Sequence, residues 1–393
     1  MAAPSDAPKD FGFGEEPAML RDVARRFLDE RLPVDRLRRL VAEAPGPVYD
    51  EGKPASWDDA LWKEIVDLGW TGLAVGADEG GSEQSLVAIA AVVEEVGRHA
   101  LPSPLVATLG ATLLLRATEG DAAKSLLTRI AEGAAVSLAI TDERGSWDPG
   151  DAPLNAREDD GDMVLSGAAY FVQDAGKADV LLATAGLGDE RVLCAVELGA
   201  GGLRLQADHI HDLTRDQATA YFDEVRVPHA AVVARNAESP LRAAWPGLLV
   251  LVAADLCGTS EWQLQTTVEY AKQRKQFDRE IGFFQAVKHP LVDAMVAIDR
   301  ARSLLYHAAC EIDAGSEHAE VAARMAKSAA SDAGAFISDR SVQLHGGIGF
   351  TWECDVHIFF KRSMHNQMLM GDGVHHRKRL ADLLIGPIGT NAA

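Results

Sequence analysis

Two segments of the chain carry side chains that suit a phosphate-bearing ligand. The first reads YAKQRKQF from Tyr270 onward and contains Arg274, whose guanidinium offers a fork of donors that matches a pyrophosphate. Gln276, Phe277 and Gln285 place amide and aromatic surface beside it. These residue types predict a binding site for the ADP-like part of a ligand.

The second segment reads QLHGGIGF and begins at Gln343, near the end of a predicted helix. Gln343 supplies an amide, and Gly346 and Gly347 supply backbone without side chains, which lets a ligand approach closely. Because these glycines follow a helix and not a strand, they are not a dinucleotide-binding fingerprint. Taken singly, Arg274 could be a solvated helix residue and the glycines a helix C-cap.

The overall composition excludes several classes of function. The chain has 393 residues, 47% of them hydrophobic, which predicts a large core divided among two or three sub-domains. Its 38 Lys and Arg against 59 Asp and Glu give a formal net charge of -21. That field repels nucleic acid and anionic membranes, so we expect neither as a partner. A phosphate group can still bind at a local cluster of cations such as the one around Arg274.

The cysteines and the N-terminus indicate a reduced, cytoplasmic protein. The chain's four cysteines are widely spaced, with no CxxC pair and no zinc-like set with histidines, so we expect no metal site. The opening MAAPSDAPKDFGFGEE lacks the basic region and apolar core of a signal peptide. No uninterrupted apolar run reaches the ~18 residues of a membrane span. The cysteines are Cys194, Cys257, Cys310 and Cys354.

The periodicity of apolar residues divides the chain into three blocks. The first is helical, and its second helix is predicted to begin near Ser56, where Ser56 and Asp59 have capping-box spacing, and to end at Gly69. From Ala135 to Pro228, short β-branched runs between turn residues predict an antiparallel β domain. Within the first block we predict helices over 20–28, 86–96 and 105–115, and a loop over 43–54.

The helical period returns after Leu241 in five long segments. We predict helices over about 245–275, 284–313, 318–344, 353–369 and 374–385. The fold class is therefore α+β, because a helix, sheet, helix order argues against a doubly wound nucleotide fold. The predicted domains are 1–133 (helical), 134–232 (antiparallel β) and 233–393 (helical).

This block order and six motifs resemble the acyl-CoA dehydrogenase family over nearly the whole chain. The motifs are LGWTGLAV, ITDERGS, YFVQDAGKAD, FDEVRVP, YAKQRKQFDREIGFFQAVKH and QLHGGIGFTWE. The resemblance implies a C-terminal four-helix bundle, with FAD between the last two domains and across a subunit interface. We expect a homo- or hetero-oligomer built as a dimer of dimers. It also implies oxidation of an acyl-CoA to the trans-2-enoyl-CoA: a carboxylate removes the α-proton, the β-hydrogen leaves as hydride to the flavin, and the electrons pass to an electron-transfer flavoprotein.

The resemblance further implies roles for individual residues. Thr141 and Ser146 match a threonine and a serine that line the flavin ring and the substrate pyrophosphate. Phe171 matches the aromatic residue packed on the ring. Gln173 stands where the family usually has a threonine that bonds the flavin near N5; glutamine can donate, but from a different position. The implied contacts to the ADP part of FAD, some in a neighbouring subunit's site, are Arg274, Phe277, Gln285, Gln343 and Gly347, with Gly346 beside them.

The proton-abstracting base is missing from both positions that the family uses. The usual glutamate precedes a glycine near the C-terminus, and that position is Met370, followed by Gly371. The alternative position lies near the start of the long predicted helix that ends in YAKQRKQF. It falls on Leu248, with Leu249 beside it. Neither side chain can accept a proton.

Three explanations remain open at this point. Asp372, two residues from the usual position, could be the base, although its side chain is expected to point elsewhere. Asp255, about two turns beyond Leu248, could reach the substrate, or could be a buried carboxylate paired to a neighbour. Alternatively, a partner chain contributes the base, as in the α2β2 acyl-CoA dehydrogenases of steroid side-chain breakdown. The backbone N–H of Met370 could still polarise a thioester carbonyl.

Other function classes are also open. The chain could be a non-catalytic structural subunit, or a homo-oligomeric dehydrogenase or oxidase with an unusual carboxylate base. An active lone enzyme needs a substitute carboxylate, whereas a partner subunit does not. The neighbouring His375 and His376 suggest a metal site or a base, but adjacent residues face different sides of a helix, so we predict a solvated or capping role.

Overall fold

The computed structural model describes residues 14–42 and 57–386, and helices precede and follow a central sheet. The first helices are α1 (Glu15–Arg31), α2 (Val34–Ala42), α3 (Asp59–Asp67), α4 (Leu86–Arg98), α5 (Leu105–Arg116) and α6 (Asp121–Ala131). The strands are β1 (Val136–Ala139), β2 (Leu154–Asp159), β3 (Asp162–Gln173), β4 (Val180–Leu187), β5 (Glu190–Glu197), β6 (Leu203–Ala207), β7 (Gln217–Val227) and β8 (Val232–Ala234). The last helices are α7 (Glu238–Gln273), α8 (Gln285–Asp313), α9 (Ala319–His345), α10 (Val356–Met368) and α11 (Gly373–Ile385), with a hairpin of β9 (Lys275–Gln276) and β10 (Arg279–Glu280) after α7.

The N-terminal helices form where the apolar period predicts them. The predicted helices over 20–28, 86–96 and 105–115 are confirmed within α1, α4 and α5. Every residue of α4 except Arg98 is buried, so this helix lies in the core. The start of α3 is capped by Asp58, whose carboxylate accepts from the backbone of Ala60 and Leu61. Ser56 and the predicted loop over 43–54 lie outside the described residues.

The predicted middle sheet is present, but its pairing is mixed. The strand order is β6-β7-β3-β2-β4-β5-β8, and β1 pairs with β4. β1 and β2 both run parallel to β4, whereas the other neighbouring strands of this sheet pair antiparallel. The prediction of a wholly antiparallel sheet was wrong here, because alternation specifies the two faces of a strand and not its partner.

Strand β4 of the sheet is buried on both faces. In β4, Val180 and Leu182 join the core shared with the helices, while Leu181, Ala183 and Ala185 join a second core within the β domain. This alternation follows from the period of two along a strand. At one end of the sheet, β1 packs against α5.

The five predicted C-terminal helices are confirmed as α7 to α11. The 36-residue α7 packs against α4, α5, α8, α9 and α10 and is the central element of the fold. Among the described helices, it alone is long and apolar enough to cross a membrane, but 89% of its most apolar window is buried inside the protein. Its apolar composition is that of a core helix.

Candidate active site

An apolar cavity of about 80 Å³ lies where α5, β1 and β3 meet α7 and the turn between α10 and α11. Leu248 of α7 and Met370 of the turn both line it. The two positions at which the resemblance implies a base therefore face one space, which we call the Met370 cavity. The other lining residues are Val106, Ala107, Gly110, Ser137, Leu138, Ile140, Thr141, Trp147, Phe171, Gln173, Arg215, Leu251, Val252 and Leu369. None of the residues in this described lining is Asp or Glu.

The turn that carries Met370 has an unusual backbone. Met370 adopts φ 59°, in the left-handed region, and Gly371 follows with φ 96°. A Cβ at Gly371 would lie 2.5 Å from the His375 ring, so this position requires glycine. A left-handed conformation at a non-glycine residue costs free energy and is typical of functional sites. This strained turn lines the cavity with the Met370 side chain, which cannot take a proton.

The buried Lys327 side chain binds the backbone of this turn. The Lys327 ammonium donates to the carbonyl oxygens of Gly371 at 2.8 Å and Gln367 at 3.0 Å, and to the Ser331 hydroxyl at 2.9 Å. Burial lowers the pKa of Lys327 to about 7. The three acceptors are neutral, so a charged ammonium lacks a directly bonded counter-ion.

Asp255 is a structural carboxylate. It is fully buried on α7 and accepts from Arg362 at 2.6 and 2.9 Å and from Arg215 at 2.7 Å. Burial alone raises the pKa of Asp255, but the Arg362 and Arg215 guanidiniums hold it below its ordinary value. Asn366 also donates to it at 2.7 Å. Its oxygens are engaged in ion pairs, and it does not line the cavity.

Asp372 caps a helix. Its carboxylate accepts from the His375 backbone N–H at 2.7 Å, at the start of α11, and it is not among the residues lining the cavity. The prediction that His375 and His376 are solvated or capping residues was wrong for His376, which is fully buried. Burial, reinforced by nearby Lys327, lowers the pKa of the His376 imidazole to about 3. Asp372 does the capping, and His376 packs beneath the turn as a neutral ring.

The β-domain wall of the cavity holds the residues predicted to face a flavin ring. Thr141 is buried and its carbonyl accepts from the Tyr170 backbone at 2.9 Å. Phe171 has φ 56°, at an irregularity of β3 that turns its ring out of the strand. Ser146 lies in the following loop, where its hydroxyl donates to Asp151. Thr141 and Phe171 line the cavity, and Ser146 does not.

The side-chain amide of Gln173 is already satisfied within the protein. Its Nε2 donates to the Phe171 carbonyl at 3.1 Å and to Gln217 Oε1 at 2.7 Å. Its Oε1 lies 2.8 Å from His365 Nε2, and burial lowers the pKa of that imidazole. Gln217 in turn donates to Asp208 at 2.7 Å. Gln173 therefore uses both amide hydrogens inside this network, and neither is left for a ligand.

A larger cleft of about 690 Å³ adjoins the cavity through Trp147, Phe171 and Leu369, which line both spaces. We call it the aromatic cleft. Its walls include Phe350 and Phe360, and its cations are Arg144 and Lys361. Sequence reasoning missed the lining residues Arg215, Gln217, His365 and Lys361, because they come from two separated segments and belong to no local motif.

The predicted ADP contacts form a separate, exposed edge. Its members are Arg274, Phe277, Gln285, Gln343, Gly346 and Gly347, and we call them the Arg274 edge; all six are exposed. The Tyr270 and His345 rings stack with centroids 4.3 Å apart, which joins the ends of α7 and α9. Phe277 stands 88% exposed at the tip of the β9-β10 hairpin. None of the six lines the cavity or the cleft.

Comparison with known proteins agrees with this architecture. The chain matches the family models for the acyl-CoA dehydrogenase N-terminal domain over residues 14–134 and for the acyl-CoA dehydrogenase C-terminal domain over residues 250–385. It is 31% identical to acyl-CoA dehydrogenase IpdE2 of Mycobacterium tuberculosis (strain ATCC 25618 / H37Rv) over 336 residues, which cover 84% of this chain and 89% of that protein. The chain belongs to the acyl-CoA dehydrogenase family.

Two solved structures show the same fold. A variant of the Tcur3481-Tcur3483 steroid ACAD is 28% identical, with a TM-score of 0.83, and the match covers 95% of this chain and 98% of the other. The ChsE4-ChsE5 complex from Mycobacterium tuberculosis is 21% identical, with a TM-score of 0.83, and the match covers 96% and 99%. The helix, sheet, helix arrangement is that of the acyl-CoA dehydrogenase family, and FAD is the cofactor that this family implies.

Proposed function

We propose that this chain is a subunit of an FAD-dependent acyl-CoA dehydrogenase whose catalytic base belongs to a partner chain. One observation carries the proposal: Leu248 and Met370 occupy the two base positions, line one cavity, and have no carboxylate beside them in its described lining. The candidate substitutes are engaged elsewhere, since Asp255 is ion-paired to Arg215 and Arg362, and Asp372 caps α11. Removal of an α-proton needs a base within hydrogen-bond reach, and this cavity offers none.

The Arg274 edge supports FAD binding shared with a partner. Its donors and aromatic ring are exposed, and no atom lies within 4 Å of where a Cβ would stand at Gly346 or Gly347, so a ligand can approach the backbone. Arg274 would bind the pyrophosphate, and Gln343 with the glycines would bind the remaining ADP part. Gln285 and Phe277 would flank it. An exposed half-site of this kind is completed by a second chain.

The aromatic cleft supports a flavin position in this chain as well. It has room for a flat ring system beside Phe171, and Arg144 and Lys361 provide positive charge for an anionic group. A flavin held here would supply the acceptor for the hydride from the β-carbon, and an electron-transfer flavoprotein would take the electrons. Thr141 would lie against the ring, and Ser146 would face the substrate pyrophosphate. Gln173 departs from the family pattern, because its amide is bound to Gln217 and Phe171.

The similar proteins favour a hetero-oligomer. One is named as the ChsE4-ChsE5 complex, another as a steroid ACAD with two gene products in its name, and IpdE2 is the curated relative at 31% identity. A dimer of dimers with a base-carrying partner suits this chain. The substrate would be the CoA thioester of a bulky or steroid-derived acyl group, which exceeds an 80 Å³ cavity and would react in the partner's site. A cytoplasmic location stays a prediction.

The test is to purify the chain alone and together with an acyl-CoA dehydrogenase homologue from its own genome. We expect the isolated chain to be inactive with a panel of acyl-CoAs and an artificial electron acceptor, and the pair to bind flavin, bleach it and turn over. Flavin bleaching and turnover by the isolated chain would refute the partner-subunit proposal. A pair that assembles without flavin would indicate a purely structural subunit.

A glutamate introduced into the cavity sharpens this test. Met370→Glu and Leu248→Glu each return a carboxylate to one base position, and Met19→Glu adds the same charge on an exposed helix face of α1. With the short acyl-CoAs of the panel, which suit a small cavity, we expect one of the cavity variants to bleach flavin slowly in the isolated chain or to add a second active site to the pair. If both variants fold, bind flavin and stay as inactive as Met19→Glu, then a restored carboxylate is not sufficient and the cavity lacks other features that catalysis needs.

A further inference from the structure

Arg215 places a positive charge in the wall of the Met370 cavity. Its side chain is 4% exposed, it precedes β7, and it is the only Lys or Arg among the cavity's described lining residues. The remaining wall is mostly aliphatic and aromatic. A buried guanidinium in such a wall is costly unless its donors find acceptors.

The hydrogen bonds of Arg215 are incomplete. One terminal nitrogen, Nη2, donates to Asp255 at 2.7 Å and to Asn366 at 3.2 Å. The other, Nη1, lies 3.7 Å from the Asp174 carboxylate, which is beyond hydrogen-bonding distance. Nε is buried and has no partner among the described residues. The group therefore has unused donors in a wall that contains no further anion.

The surrounding ion pairs share carboxylate oxygens among several cations. Asp255 Oδ2 is shared between Arg215 and Arg362, at 2.7 and 2.6 Å, so one carboxylate serves two guanidiniums. Asp174 bonds Lys177 at 3.2 Å in preference to Arg215. Three cations and two carboxylates are thus linked in one buried chain of ion pairs. Two further buried carboxylates stand near Arg362 and Lys177, so an anion beside Arg215 would be held by its unused donors and not by a net positive charge.

We propose that the Met370 cavity binds a carboxylate through Arg215, with the carbon chain of the ligand against Leu248, Leu251 and Met370. A cavity of about 80 Å³ holds a few heavy atoms, so the ligand is a short carboxylic acid or the distal carboxylate of a dicarboxylic acyl-CoA. Both sources present the same chemistry to Arg215. This site does not depend on flavin or on turnover, so it stands or fails separately from the partner-subunit function.

Calorimetric titration of the purified chain separates carboxylate recognition from simple filling of the cavity. Propionate is compared with propionamide, which has a similar shape and no charge, and succinyl-CoA with butyryl-CoA. We expect the charged member of at least one pair to bind about tenfold more tightly, because a hydrogen bond to a charged group contributes more than a neutral one. Preference within the first pair identifies a free acid, and preference confined to the second identifies a distal carboxylate. Equal binding within both pairs overturns the proposal.

Two variants assign the effect to this cavity. Arg215→Gln should abolish the preference for the charged ligand, while Arg204→Gln, which removes an exposed arginine stacked on Tyr221, should keep it. Because Arg215 belongs to a buried ion network, its variant could fail to fold. Leu248→Phe then serves instead: it fills the cavity and leaves Arg215 in place, and should abolish binding of the preferred ligand. Preference retained by Arg215→Gln, or binding unchanged in Leu248→Phe, contradicts the proposal.

Discussion

The Met370 cavity and the Arg274 edge differ in burial and in the chemical groups that they present. The cavity is buried and apolar, Leu248 and Met370 stand at its two predicted base positions, and Asp255, which contacts the lining residue Arg215, is paired to two arginines. The edge is exposed and keeps every residue type that the ADP-binding motifs require. A chain under pressure only to fold would have no need of the edge, and an autonomous enzyme would need a base in the cavity. The contrast is the one expected of a subunit that completes another chain's site.

The largest effect that would sharpen this comparison is on stability. Asp255→Ala removes the anion between Arg215 and Arg362, and breaking a buried pair from one side costs about 3–5 kcal/mol because the remaining charges are left uncompensated. Urea unfolding should show this loss. Asp332→Ala, which breaks an exposed pair with Arg377, should cost less than about 1 kcal/mol. Equal costs would contradict a structural role for Asp255.

Next in size is the contribution of Arg274 to flavin binding. Arg274→Ala should weaken FAD binding by roughly 2–3 kcal/mol in the assembled protein, because a charged donor fork to a pyrophosphate is lost. The flavin absorbance per chain after gel filtration measures it. Arg116→Ala, an exposed arginine at the end of α5, is the matched control. Full flavin occupancy in Arg274→Ala would remove this residue from the site and weaken the contrast between the edge and the cavity.

A pH effect of intermediate size is expected from Lys327. Its pKa is lowered by burial from 10.5 to about 7, so between those values the unfolded chain binds a proton that the folded chain does not. The contribution of Lys327 to the free energy of unfolding therefore rises with pH, by roughly 2 kcal/mol between pH 7 and pH 9. Lys327→Met should flatten the difference in unfolding free energy between those two pH values. Lys124→Met, at an exposed position on α6, should leave the slope unchanged.

The smallest effect is expected at Asp372. Asparagine is as good an N-cap as aspartate, so Asp372→Asn should change stability by less than about 0.5 kcal/mol, while Asp372→Ala should cost about 1 kcal/mol. Any activity of the assembled protein should stay within about twofold in Asp372→Asn, since capping needs no proton transfer. A loss of activity by several orders of magnitude would identify Asp372 as the base. The cavity would then have its own base, and its difference from the Arg274 edge would no longer support a partner subunit.

Much of the fold could be predicted from the sequence because its signals are local. The helical period placed α1, α4, α5 and the C-terminal helices, and the alternating runs placed most strands. The short α2 and α6, the strands β2 and β8 and the β9-β10 hairpin were missed, since a few residues carry little periodicity. The parallel pairing of β4 with β1 and β2 was missed because register depends on contacts between distant segments.

For the site, the sequence by itself determined which side chains are present: an arginine fork and glycines at two helix ends, and Met370 and Leu248 where a carboxylate is usual. Only the tertiary structure decided that Met370 and Leu248 face one cavity. It also decided that Asp255 is ion-paired to two arginines, and that Arg215, which lines the cavity, has an unpaired donor. The reason is physical. Residue type and period depend on neighbours along the chain, whereas burial, ion pairing and an unsatisfied donor depend on atoms contributed by β3, α7, α10 and the loop before β7 together.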